Sequence, residues 1–282
     1  MPPEFLVVGH VVQDIQADGS WSLGGGVAYG SLLAARLGLN TAIVTSCAAD
    51  PSPAEELLPR GVQVHAVGAD VTTRMRNIYK KGVRSQRLLQ QAAPITEADI
   101  PPDLRGAPVV FLAPVLDELP PSVAHCFSGG LMGIGAQGWL RQVGKDGRVR
   151  PRLPTNWEAW PLLEKAGALF LSEEDLPAGE QDAALAAWSR LVPIIGFTRG
   201  ELGAEIFYRG EWRHIEAVPA RHVDLTGAGD IFSAAFLIRY KECADPWQAA
   251  RFASAAASLI VEGKGTEHVP SREMIESRLA RT

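Results

Sequence analysis

Apolar positions along this chain arrive in short unbroken runs rather than in strict alternation. The first occupies residues 5–12, and residues 41–46 and 62–67 follow. Residues 109–113, 131–134, 168–171 and 194–197 continue the series. Short apolar runs bounded by turn signals read as strands buried on both faces, the habit of a parallel sheet covered by helices. Helical stretches lie between several of them. One opens at Gly24-Gly25-Gly26 and ends near Leu37-Gly38, and another covers residues 180–191. The alternation predicts an α/β fold with a mostly parallel central sheet and helices on both faces. Residues 204–208 and 211–215 flank Arg209-Gly210 and read as a hairpin on that sheet. Two long helices come last, over residues 227–240 and 246–261, the second with an alanine-rich face.

Residues 72–91 break the rhythm. Arg74, Arg76, Lys80, Lys81, Arg84 and Arg87 surround Gly82, and polar and apolar positions mix without a helical stripe. This reads as a solvated hairpin. Residues 15–23 are its expected partner, and together they form a small β flap, or lid, beside the sheet. No repeat of solenoid length is visible. At 282 residues the expectation is a single domain over 1–282 carrying that lid.

Composition narrows the function classes. Hydrophobic residues are 46% and charged residues 21%, which suits a globular core, and the net charge is −5. A chain of that charge lacks the basic footprint of a nucleic-acid binder. Cys47, Cys126 and Cys243 stand far apart, so neither a disulfide framework nor a zinc knuckle is expected. They read as small buried residues of a reducing, cytoplasmic compartment. The N-terminus carries no basic segment, and no apolar run of ~18 residues predicts a membrane span.

The stretch from Val223 to Phe232 carries the most chemistry. Thr226-Gly227-Ala228-Gly229-Asp230 stands directly before a strong helical pattern. Small residues there let backbone N–H groups face an anion, and the helix dipole adds positive potential. Such a nest suits charge developing on a transferring phosphoryl group. Asp230 falls in the first turn, where a carboxylate is favoured. A positioned carboxylate beside an anion nest is what transfer of phosphate to a hydroxyl requires. The same residues also suit a plain capped helix start. Gly133-Ile134-Gly135-Ala136-Gln137-Gly138 fits the dinucleotide pattern GxGxxG, but no helix and second strand follow it, so NAD binding is not expected. No GxxxxGK[ST] loop is present, which argues against a P-loop kinase.

Asp224, Gly227, Ala228, Gly229 and Asp230 resemble the Asp-Thr-x-Gly-Ala-Gly-Asp signature of the ribokinase-like (PfkB) carbohydrate kinases, with Leu225 in place of the usual threonine. The resemblance extends through the chain. It implies a ribokinase-like fold and ATP- and Mg²⁺-dependent phosphorylation of a small polyol or sugar. Asp230 would be the catalytic base, with Gly227, Ala228 and Gly229 as the anion hole. Asp14 matches an aspartate that holds substrate hydroxyls. Gly24-Gly25-Gly26 through Gly38 matches the N-terminal glycine signature, with Tyr29 where many members place asparagine. That assigns Asp14, Gly25, Gly26, Tyr29 and Gln137 to the substrate.

Gln137 and Arg141 resemble the Gln-x-x-x-Arg arrangement of myo-inositol kinases, in which the arginine faces the phosphoryl path. Thr198, Gly200 and Gly203 match a Thr-x-Gly-x-x-Gly segment that contacts nucleotide phosphates. Ser254, on a helix of small residues, and Gly265 resemble the adenine-side wall. Where the family shows Asn-x-x-Glu for magnesium, this chain has Ser172-Glu173-Glu174-Asp175, so Asp175, with Glu174 second, is the expected metal residue. Leu225 bears on the loop that holds K⁺ in some members. Members also form homodimers through the flap. The expected substrate is a cyclitol such as myo-inositol. Pentose, hexose or nucleoside kinases are alternatives within the class, and a nucleotide-binding regulator with little turnover is the alternative outside it.

Overall fold

The computed structural model describes residues 2–16, 18–49, 52–80, 83–158 and 160–281. The chain begins with β1 (Phe5–Val8), β2 (Val12–Ile15) and β3 (Trp21–Gly24), then α1 (Gly26–Arg36), β4 (Thr41–Cys47) and β5 (Val62–Gly68). A hairpin of β6 (Thr73–Lys80) and β7 (Val83–Gln90) precedes β8 (Val109–Leu112) and β9 (Leu131–Gly135). Next come β10 (Arg141–Val143), β11 (Val149–Pro151), α2 (Trp160–Leu163), β12 (Ala168–Ser172) and α3 (Gln181–Trp188). The last elements are β13 (Ile194–Thr198), β14 (Ala204–Tyr208), β15 (Glu211–Ile215), α4 (Ala228–Cys243), α5 (Pro246–Ile260) and α6 (Arg272–Leu279).

Nine strands form the main sheet in the order β15-β14-β13-β12-β9-β8-β1-β4-β5. Every pair is parallel except the β13–β14–β15 end, which is antiparallel. The order reverses between β1 and β8. In such sheets a ligand crevice opens beyond the carboxyl ends of the strands at that switch point. Both faces are buried but covered unequally. α1, α4 and α5 close one face over Val7, Phe111, Phe170 and Ile206. Short helices and 3₁₀ turns close the other, over Leu6, Val110, Ile134 and Leu169. Among the described residues no helix is long and apolar enough to cross a membrane.

Residues 5–12 do not form one strand. The run splits at Gly9, and β2 leaves to join a second sheet. Side chains take over the backbone donors at the break: His10 N–H donates to Glu118 Oε1 at 3.0 Å and Val11 N–H to Thr45 Oγ1 at 2.8 Å. Donors satisfied in this way no longer need a ladder partner.

That second sheet is the flap, in the order β3-β2-β6-β7, with β2 and β6 parallel. It takes in both expected segments, and its strands reach back to Val12 and forward to Gly24. Lys81 and Gly82 lie outside the described residues. Sequence reading did not anticipate the β10–β11 hairpin. It sits beside β7, where Arg87 bridges Arg148 and Leu88 N–H donates to Gly147 O at 2.9 Å. A small cluster of Val12, Met75, Val115 and Leu116 packs where flap meets sheet.

Candidate active site

The crevice beyond β1, β8 and β9 is a cleft of about 370 Å³ between the main sheet and the flap. α4 points its N-terminus into it. Gly227, the N-cap, has φ of 80°, and its Cα lies against the Tyr29 ring, so any Cβ there would collide. Only glycine meets both demands. Asp224 steadies the loop: Oδ1 accepts from Thr226 N–H at 3.0 Å and Oδ2 from Gly265 N–H at 3.3 Å. A Cβ on Gly229 would meet open space, so no side chain stands in front of the turn there, while Ala228 N–H donates within it to Leu225 O at 3.4 Å. The turn forms an anion nest at a helix start.

Two carboxylates reach the Gly24-Gly25-Gly26 turn, each beside a glycine. A Cβ on Gly26 would stand 2.7 Å from Asp230 Oδ1, and one on Gly24 would collide with Asp14 Oδ2. The Gly24-Gly25-Gly26 turn therefore makes room for Asp230 from α4 and Asp14 from β2. The cleft walls also include Gly25, Tyr29, Gln137 and Arg141. Tyr29 is 1% exposed and supports the Gly227 turn more than it faces solvent. Arg141 is 9% exposed, and its Nη1 donates to Val115 O at 3.3 Å. That carbonyl is fixed in turn by Glu118, which is fully buried. Glu118 Oε1 accepts from Val115 N–H at 2.8 Å and Oε2 from Leu116 N–H at 2.7 Å.

The donor side divides. Thr198 and Gly200 line the cleft. Gly203, Ser254 and Gly265 are not among its lining residues. Gly203 has φ of 85° and sits where a Cβ would strike Ile215 O, so its place is set by the β15 backbone. Ser254 Oγ donates to Glu216 O at 3.2 Å.

The acidic segment also sorts itself. Asp175 is 6% exposed, and its Oδ2 accepts from Ser172 N–H at 2.8 Å and from Ser172 Oγ at 3.0 Å. Its Oδ1 accepts from Gln137 Nε2 at 3.2 Å. The capping box and Gln137 thus engage the carboxylate expected to bind metal, which still lines the cleft and also braces Gln137. Glu173 pairs with Arg199 at 3.6 Å. Glu174 is exposed at the cleft wall, and its carboxylate, unlike that of Asp175, is not part of the capping box, so it is the acidic side chain that could hold a divalent cation. Among the described residues no cluster of three or more His, Cys, Asp or Glu forms an all-protein cage.

Gln86, Met75 and Glu118 escaped the sequence reading. The first two line or floor the cleft from the flap, and their inward direction follows from strand register that only the fold sets. The GxGxxG stretch is a strand end followed by a three-residue turn, and Gly138 backs onto Pro114, which is a packing role.

The architecture places the chain among the ribokinase-like α/β folds. A pyrophosphate-dependent kinase in the ribokinase family, complexed with a pyrophosphate analog and myo-inositol, superposes with a TM-score of 0.80 over 96% of this chain and 99% of that one, at 24% identity. Arabidopsis thaliana ribokinase complexed with ribose and ATP gives 0.74 over 99% of each chain, also at 24% identity. By sequence, residues 153–273 match the pfkB family carbohydrate kinase model. A nucleoside kinase of Methanothermobacter thermautotrophicus is 43% identical over 74 residues, which is 26% of this chain and 24% of that protein. The matched segments span at most 29% of the curated relatives they come from. The chain thus carries a pfkB family carbohydrate kinase segment on a ribokinase-like fold.

Proposed function

We propose that the protein is a kinase that transfers a phosphoryl group to a hydroxyl of a small polyol or sugar, with Mg²⁺-bound ATP as donor. One observation carries this reading: Asp230, the Gly227–Gly229 nest, Arg141 and Asp14 converge on a single cleft closed by a flap. Asp14 orients the acceptor. Asp230 takes the proton of the attacking hydroxyl. The nest N–H groups and the Arg141 guanidinium stabilise charge on the moving phosphoryl. The flap keeps water from competing as acceptor. Bound magnesium would neutralise donor phosphates beside Glu174. A cyclitol such as myo-inositol is the preferred acceptor. Gln137 and Arg141 support it, as does the likeness to the myo-inositol complex.

The donor has a second reading with its own support. Phosphate-facing groups line the cleft, while Ser254 and Gly265, the expected nucleobase neighbours, lie outside its lining and bond within the protein. A donor without a base, pyrophosphate, would use the first set alone. The test is a product assay with ATP and with pyrophosphate across inositols, hexoses, pentoses and nucleosides, with and without Mg²⁺ and K⁺. Phosphomonoester formation from a polyol supports the kinase. ATP binding with turnover of none of them favours a regulator. Asp230→Asn is expected to lower kcat about 10²–10⁴-fold while donor affinity holds. A near-normal kcat in that variant would overturn the base assignment.

A further inference from the structure

Arg60 lies outside the cleft. It ends a 3₁₀ turn over Pro53–Arg60 that follows β4, and Gly61 closes that turn with φ of 84°. Its half-buried side chain crosses to Thr266, 206 positions along the chain. Nη1 donates to Thr266 Oγ1 at 3.0 Å, and Nη2 donates to Thr266 O. Thr266 is 7% exposed and belongs to the short turn Gly265–His268 that follows α5. The planar fork of arginine meets a hydroxyl and a carbonyl of one residue together, which the point charge of a lysine does less well. Burial, and after it the neighbouring Arg36, lower the pKa of this guanidinium, so its place is not one that charge alone would choose.

The segment that Arg60 grips backs the loop leading into the anion nest. Val223 N–H donates to Val261 O at 2.7 Å, and Asp224 N–H donates to the same oxygen at 3.2 Å. Gly265 N–H, one residue before Thr266, donates to Asp224 Oδ2 at 3.3 Å, and Asp224 Oδ1 accepts from Thr226 N–H. At Val261 this backing is anchored by the end of α5. Its other end is a four-residue 3₁₀ turn, whose hydrogen bonds are poorer than those of an α-helix. Gly265 has φ of 54° there, and a Cβ on Gly263 would strike the His268 ring, so the segment doubles back on itself. Arg60 gives that end a fixed point outside the loop.

We propose that Arg60 is a positioning residue for phosphoryl transfer: through Thr266, Gly265 and Asp224 it holds the Gly227–Gly229 turn in the geometry that receives charge on the moving phosphoryl. This rests on the kinase reading. Asp14 enters the cleft by a different route, from β2. Loss of the Arg60 contact therefore falls on turnover and not on acceptor binding.

The wild type is compared with Arg60→Met, Arg60→Lys and Thr266→Val. The measurements are kcat, donor and acceptor KM, polyol Kd by calorimetry without donor, the urea midpoint, and amide hydrogen exchange over residues 223–230. Arg60→Met is expected to lower kcat about tenfold, less than the loss of a whole anion-hole donor. Exchange over residues 223–230 should quicken, with acceptor KM and Kd within twofold. Arg60→Lys, which keeps a donor to Thr266, should recover part of both. Thr266→Val, which keeps the carbonyl contact, should fall between the wild type and Arg60→Met, and in the double variant the two losses should not add. A lower urea midpoint in Arg60→Met with wild-type kcat and wild-type exchange over residues 223–230 would make Arg60 purely structural and overturn the proposal. So would a loss shared equally by kcat and acceptor affinity. If Arg60→Met does not fold, Arg60→Lys and Thr266→Val carry the same comparison. A wild type that phosphorylates no acceptor from either donor would sink the kinase reading, and the exchange data would still show whether Arg60 holds the turn.

Discussion

Glu118 shows how much a single side chain can fix. Its carboxylate is completely buried and takes N–H groups from His10, Val115 and Leu116. A buried anion is tolerated where several donors replace its water. Glu118→Ala would leave those donors buried without partners, at about 1–3 kcal/mol each. The expected result is a large fall in the urea midpoint and, through Val115 O, a looser Arg141. Glu118→Gln, which keeps one accepting oxygen, should lose less. Equal midpoints for the wild type and Glu118→Ala would refute the bracing role. Gly227 offers a second check. An alanine there meets both a positive φ and the Tyr29 ring, so Gly227→Ala is expected to cost more than about 1 kcal/mol. It should also depress kcat by displacing the nest. Asp230 and its loop were legible because every part of the nest lies within a few consecutive residues. Glu118 was not, since its partner His10 lies 108 positions away and no local pattern announces the contact.

Elements were legible where the local signal and the tertiary demand agree. The hairpin at Arg209-Gly210 and the long helices α4 and α5 are of this kind. α5 has Asp245 as N-cap, accepting from Trp247 N–H at 2.8 Å and Gln248 N–H at 3.1 Å, and Pro246 at the first helical position. Asp245→Ala should destabilise the protein by about 1 kcal/mol, read as a lower urea midpoint with an unchanged m-value. A change under a few tenths would mean that α5 is held by its alanine face alone. Two elements ran against the reading. Residues 5–12 look like one strand because apolarity persists, but hydrogen bonds from other segments capture the backbone at His10 and Val11. The β10–β11 hairpin is short, and its arginines hid a strand that completes the flap instead of the core. In the site, Asp175 is the instructive case. Its spacing from Ser172 fits both a metal motif and a capping box, and the hydrogen bonds form the cap.

At the scale of the whole molecule the question is how the flap is joined to the sheet, because the cleft exists only between them. The joint is a buried relay. His10 Nε2–H donates to Ala93 O at 2.9 Å, and Nδ1 is hydrogen-bonded to the Thr73 hydroxyl at 2.8 Å. Thr73 Oγ1 then accepts from Ala92 N–H at 3.0 Å. His10 follows β1, Thr73 opens β6, and Ala92 follows β7, so one hydroxyl ties the body to both ends of the flap hairpin. Thr73→Val keeps the shape and β-propensity but removes that hydroxyl, leaving a ring nitrogen and a backbone N–H buried without it. The expected loss is about 1–3 kcal/mol. For a domain of this size each kcal/mol lowers Tm by about 2–4 °C. Because the joint bears on the flap and not on the Gly227 turn, acceptor KM should rise while donor KM stays within twofold. A Thr73→Val protein with wild-type Tm and wild-type acceptor KM would show that the apolar seam of Val12, Met75, Val115 and Leu116 holds the flap by itself. A fall in Tm with acceptor KM unchanged would show that the relay stabilises the fold without setting the geometry of the cleft.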